Sequence, residues 1–161
     1  MTILRGLSQI RTDRGRSAAA FLVWILAPVL PGAARAELPR LELSAGVHRI
    51  VAEVASTGAS RAEGLMYRRQ LGANQGMLFV FPEANRHCMW MRNTYVALSV
   101  AFIDDQGTVI NVAEMQPQTE TNHCAARPAR YALEMNAGWF ARRGLGAGAR
   151  LDGLNRAPAP N

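Results

Sequence analysis

The sequence predicts a mainly β domain, a sandwich or partly open barrel, carrying one short helix near residues 61–71. Three observations lead there. Apolar runs of strand length recur along the chain, bounded by Gly, Asn and Asp. One segment alone shows helical spacing of its apolar residues. Once an N-terminal export segment is set aside, residues 37–161 remain, enough for one domain with one ordinary core.

The export segment is read from residues 1–36. Arg5, Arg11, Arg14 and Arg16 form a basic head, Ala18–Leu30 is apolar, and Ala34-Arg35-Ala36 is an A-x-A cleavage site. The apolar run would rise only about 20 Å as a helix, short of the ~30 Å hydrocarbon core. Pro28 and Pro31 also interrupt it. A cleaved signal peptide is therefore expected, with a periplasmic or secreted product and no stable membrane span. The first 36 residues hold five of the 18 basic residues and one of the 12 acidic ones. The remaining chain is thus close to neutral, although the whole sequence is basic. Its arginines are scattered rather than set in a stripe interleaved with aromatics, so nucleic acid is not an expected partner. Nothing in the sequence indicates an oligomeric state.

In chain order, Leu41–Ser44 and His48–Ala55 read as strands joined at Gly46. Ser60-Arg61-Ala62-Glu63 has capping-box spacing and is expected to start the helix, with Ala62, Leu65 and Met66 on one face and Gly72 closing it. Gly64 inside that helix would cost about 1 kcal/mol relative to Ala, which suggests that a backbone or ligand comes close there. Further strands are expected at Gly76–Phe81, Cys88–Arg92, Val96–Ile103, Thr108–Met115 and Tyr131–Met135. Asp104-Asp105-Gln106-Gly107 supplies a hairpin. Val96, Leu98, Val100 and Phe102 alternate with smaller residues, as on a strand with one buried face. Gly138–Arg143 reads as a helical turn. The β domain is expected to span 37–155, with 156–161 as a flexible tail.

Five motifs follow in order: Arg61-x-x-Gly64-Leu65-Met66, Gly76-Met77-Leu78-Phe79-x-Phe81, Trp90-Met91-Arg92-Asn93-Thr94, Phe102-Ile103-Asp104 and Tyr131-x-Leu133-Glu134-x-Asn136-Ala137-Gly138. Together they resemble domain of unknown function 192 over about residues 41–152. The resemblance implies a compact, jelly-roll-like β domain, often exported, with no assigned activity. Two positions depart from the pattern: Ala97-Leu98-Ser99 stands where Pro-Leu-Asp is frequent, and Gly148-Ala149 where Gly-Asp is usual.

Cys88 and Cys124 are the chain's two cysteines. In an oxidising compartment such a pair is most simply a disulfide. Each follows a histidine, His87 and His123, so a Cys2His2 metal site and two free thiols are the alternatives. Neighbours on a strand point to opposite faces, which disfavours the metal. Six methionines lie beyond residue 36, but Met89-x-Met91 is their one close pair. Core filling therefore suits them better than Cu(I) binding. No cofactor or metal is expected.

The candidate ligand-binding set is Arg61, Trp90, Arg92, Asn93, Thr94, Glu134 and Asn136. Arginine forks bind carboxylate or phosphate, and Trp offers a stacking face. An internal polar network, with Arg92 paired to Glu134, is the competing structural role. No Gly-x-Ser-x-Gly, His-Glu-x-x-His or phosphate-cradling glycine loop is present, so the reading leans away from an enzyme. The expected function is non-catalytic binding of a small anionic or sugar-like ligand or an envelope component. A hydrolase or lyase using Glu134 near Arg92, and a structural or accessory envelope protein, are the alternatives.

Overall fold

The computed structural model describes residues 37–161; the expected export segment lies outside the described residues. Eight strands form: β1 (Arg40–Ala45), β2 (His48–Ala55), β3 (Gln75–Asn85), β4 (Cys88–Met89), β5 (Leu98–Ile103), β6 (Val109–Met115), β7 (His123–Cys124) and β8 (Ala129–Asn136). Helix α1 (Gly58–Glu63) lies between β2 and β3. Six strands make one sheet in the order β1-β2-β3-β8-β5-β6, and β4 with β7 make a separate ribbon. The mainly β expectation holds, and the sheet stays open rather than closing into a barrel.

Every pairing is antiparallel except β2–β3, where α1 provides the crossover that a parallel pair requires. The last strand, β8, inserts between β3 and β5. Residues near the C-terminal end of the sequence thereby occupy the middle of the sheet.

Both faces of the sheet are buried. On one, Leu78, Val80, Ala101, Ile103, Leu133 and Met135 pack against Trp139, Phe140, Leu151 and Leu154 from the C-terminal segment. On the other, Met77, Phe79, Val100, Phe102 and Ala132 pack against Leu65, Met91 and Ala125. This corrects the expectation that β5 buries one face, since all six of its residues are buried. The smaller alternate positions Ser99 and Ala101 are also covered, so small size there marks tight space rather than exposure.

The helix also differs from expectation. It begins three residues earlier, capped by Thr57, whose side chain accepts from the Ser60 N–H at 3.0 Å while the Thr57 N–H donates to the Ser60 hydroxyl. Ser60 is thus the N3 partner rather than the cap. The helix ends at Gly64, whose φ of +50° lies in the left-handed region that favours glycine. A Cβ at Gly64 would also stand 3.2 Å from Cζ of Phe79. Thr57→Ala should cost about 1 kcal/mol through loss of the cap, checked by urea denaturation; an unchanged midpoint would mean that Ser60 alone holds the helix start.

The Asp104–Gly107 turn forms as read. Asp104 accepts the Gln106 and Thr108 N–H groups at 3.0 and 2.8 Å and pairs with Arg127 at 2.9 Å. Burial works against that carboxylate, but the hydrogen bonds outweigh it and hold its pKa below the usual range. Turn chemistry therefore accounts for this acid. At the chain's end, the Asn161 N–H donates to the Ser56 carbonyl at 3.0 Å.

Candidate functional site

Glu134 decides where the site lies. On β8 it is paired in register with Met77 of β3 and Val100 of β5, so its side chain shares their buried face. It is 3% exposed, and among the described residues no hydrogen bond or ion pair reaches its carboxyl. Burial alone pushes its pKa up to about 8, so the group is mostly protonated at neutral pH.

Above it opens a cleft of about 210 Å³. Its walls are Arg61 to Met66 from α1 and the following turn, Phe79 and Phe81 from β3, Cys88 and Met89 from β4, then Trp90 and Thr94. The volume suits a small molecule and falls below the usual drug-sized pocket. The lining is largely apolar, with a few polar groups set into it.

The ribbon wall is fixed covalently. Cys88 and Cys124 are joined by the expected disulfide. The β4–β7 ribbon has only two cross-strand pairs, Cys88 with Cys124 and Met89 with His123. His87 leaves the cysteine and stacks on Phe81, with ring centroids 3.6 Å apart. Its Nε2 lies 3.0 Å from the Glu83 carbonyl. Among the described residues, no group of three or more His, Cys, Asp or Glu side chains is gathered for a metal.

Beside the cleft, three loops meet through their backbones. The Tyr67 N–H donates to the Asn93 carbonyl at 2.8 Å, Gln118 to Thr94 at 3.1 Å, and Met91 to Thr119 at 2.9 Å. Tyr67, Asn93 and Gln118 each have positive φ, at +63°, +56° and +57°. Non-glycine residues in this region carry strain that the surrounding contacts must hold, and such strain gathers at functional sites. Tyr67 and Tyr95 pack edge to face there, and Arg69 lies 5.4 Å from the Tyr95 ring.

The seven residues singled out from the sequence therefore divide. Arg61, Trp90, Thr94 and Glu134 line the cleft. Arg92, Asn93 and Asn136 do not. Arg92 takes Glu120 rather than Glu134 as its carboxylate, through Nε and Nη2 bonds of 2.9 and 3.1 Å. This exposed fork raises the pKa of Arg92 and lowers that of Glu120, mainly through the hydrogen bonds. The Arg92 guanidinium also lies 4.2 Å from the Trp90 ring. Asn93 donates to the Tyr67 hydroxyl, and Asn136 ties down the carbonyls of Leu71 and Gly72. Arg61 reaches the cleft but spends its guanidinium on the carbonyls of Ser56, Val80 and Asn161.

Sequence reasoning missed Glu63, Phe79, Phe81 and Met89 as lining residues. The signal for Phe79 and Phe81 was present: with Met77 they alternate along β3 on the face that Glu134 shares.

The model of the DUF192 family, described as an uncharacterized ACR, matches residues 41–153. The chain belongs to the DUF192 family. No functionally curated protein matches it. Two solved structures resemble this DUF192 chain throughout the described domain. A candidate transcription regulator from Sinorhizobium meliloti 1021 is 34% identical, with a TM-score of 0.69, covering 75% of this chain and 98% of its own. A protein of unknown function from Novosphingobium aromaticivorans DSM 12444 is 32% identical, with a TM-score of 0.66, covering 71% and 86%. Among the described residues of this DUF192 protein, no helix is long and apolar enough to cross a membrane.

Proposed function

We propose that this is an exported protein that binds a small sugar-like ligand, free or as part of an envelope component, in the Glu134 cleft without transforming it. The observation that carries the reading is the buried Glu134, whose carboxyl has no hydrogen-bond or ionic partner among the described residues, lining a concave, mostly apolar cleft. Phe79, Phe81 and Trp90 put aromatic rings in the lining, suited to the C–H surfaces of a sugar, while Thr94 and Glu134 bring hydrogen-bonding groups for its hydroxyls. An anionic ligand fits less well than the sequence suggests. Arg92 is neutralised by Glu120 outside the cleft, and Arg61 is held by backbone carbonyls. The same engagement of arginines supports a small ligand over nucleic acid, despite the regulator description of one structural relative: Arg49, Arg68 and Arg127 also pair with Glu42, Glu53 and Asp104.

One observation favours a second reading. Glu63 lines the same cleft, giving it two carboxyl groups. A hydrolase or lyase here would use Glu134 as a general acid, since its pKa near 8 leaves it protonated at pH 7, and not as a base beside Arg92.

The test is a thermal-shift screen of envelope sugars and organic anions, repeated on Ala62→Trp. Ala62 is an exposed residue of the lining, so the indole should fill the cleft without disturbing the core. At least one sugar-like compound should stabilise the protein, by about 2.7 kcal/mol at 100 times its Kd, and Ala62→Trp should abolish the shift. Flat responses across the panel, or shifts indifferent to Ala62→Trp, would remove this cleft as the binding site.

A further inference from the structure

We propose that the group which the ligand presents to Glu134 is a primary ammonium, so that the cleft selects organic amines. This rests on the reading of the cleft as a ligand site and names the chemistry of its deepest contact. The geometry supplies three arguments.

First, Glu134 is 3% exposed and lines the cleft, and its carboxyl has no hydrogen-bond or ionic partner among the described residues. A buried carboxyl without a partner is costly, and an ammonium repays that cost with charge and three N–H donors at once. A hydroxyl supplies one O–H donor and no charge. Second, the neighbouring walls include the aromatic residues Phe79, Phe81 and Trp90, and aromatic rings attract organic cations. Third, the charged groups around the cleft do not replace the ammonium. From α1, Arg61 is bound by three carbonyls and Glu63 adds a second acid to the lining. From β3 and β5, the register neighbours of Glu134 are Met77 and Val100, which do not titrate. From the ribbon, Cys88 is locked in the disulfide, and His87 stacks on Phe81 instead of joining the lining. Arg92, at the Trp90 ring, is balanced by Glu120.

The proton balance follows. The free protein holds Glu134 mainly as the neutral acid at pH 7. Binding an ammonium leaves a carboxylate–ammonium pair and sends one proton to the buffer. Affinity for an amine should therefore rise nearly tenfold from pH 6 to pH 7 and level off above pH 8. A neutral ligand of the same shape should show no such dependence.

The experiment is isothermal titration with benzylamine, benzyl alcohol and benzoate, which hold the ring constant and change only the charge. Benzylamine should bind at least tenfold more tightly than benzyl alcohol at pH 7.5, and benzoate more weakly than either. Titrations in two buffers of different ionisation enthalpy should show close to one proton released at pH 7. In Glu134→Gln, benzylamine should lose both its advantage over benzyl alcohol and its pH dependence. Benzyl alcohol binding as tightly as benzylamine, with both lost in Ala62→Trp, would overturn the ammonium and leave the cleft standing. No binding by any of the three would also overturn the ammonium, while the sugar panel decides the cleft separately.

Discussion

Glu134→Gln should make the protein more stable at pH 8, by roughly 4 kcal/mol, and flatten its stability profile between pH 4.5 and 8. The sign follows from the direction of the shift. Burial raises the folded pKa from 4.5 to about 8. The folded state therefore holds a proton that the unfolded chain releases above pH 4.5. Wild-type stability is fully present below the unfolded value and is lost as pH rises towards 8. Glutamine carries no charge at any of these pH values, so it escapes the loss while keeping the size of the side chain. Urea denaturation at half-unit pH intervals would measure both profiles. A wild-type profile as flat as that of the variant would mean that water or a neighbouring group already satisfies Glu134, and the case for a ligand at its carboxyl would weaken. A stabilising substitution in the middle of a sheet is also the expected mark of a residue kept for function rather than for folding.

The second large effect concerns the Cys88–Cys124 bridge. Replacing both cysteines with Ser should cost roughly 3–4 kcal/mol on the chain-entropy model for a closed loop of this size, where the cysteines are 36 positions apart. The ribbon it joins has one other cross-strand pair, Met89 with His123, too little to hold two strands alone. Because Cys88, Met89 and Trp90 form one wall of the cleft, the variant should lose ligand shifts as well as stability. Thermal melts of both proteins, with and without a dithiol reductant, would measure this. A double variant within 1 kcal/mol of wild type would show that the loop is held by the Met91–Thr119 and Gln118–Thr94 backbone bonds instead.

The sequence by itself determined the strand-rich class, because alternation and turn residues are local signals: β2 is read at its observed bounds, and the Asp104 turn carries its own hydrogen bonds. It also favoured a disulfide over a metal site or two free thiols, and the bond forms. The motif order sufficed for the family. It placed the helix three residues late because Ser60-x-x-Glu63 and Thr57-x-x-Ser60 both have capping spacing, and the sequence alone does not choose between them; in the structure Thr57 caps the helix and Gly64 ends it. Strand β7 has two residues and exists through its partner across the disulfide, so no periodicity announces it. The site was half legible for the same reason. Arg61, Trp90, Thr94 and Glu134 stand out as polar or aromatic residues within apolar runs, but which carboxylate Arg92 takes depends on loops far apart in sequence. Only the insertion of β8 between β3 and β5 buries Glu134 between Met77 and Val100, in one cleft lining with Phe79 and Phe81. Strand order is a long-range choice, made by burying both faces of the sheet together, and it turned an ordinary glutamate into a buried acid in the lining of a cleft, without a partner among the described residues.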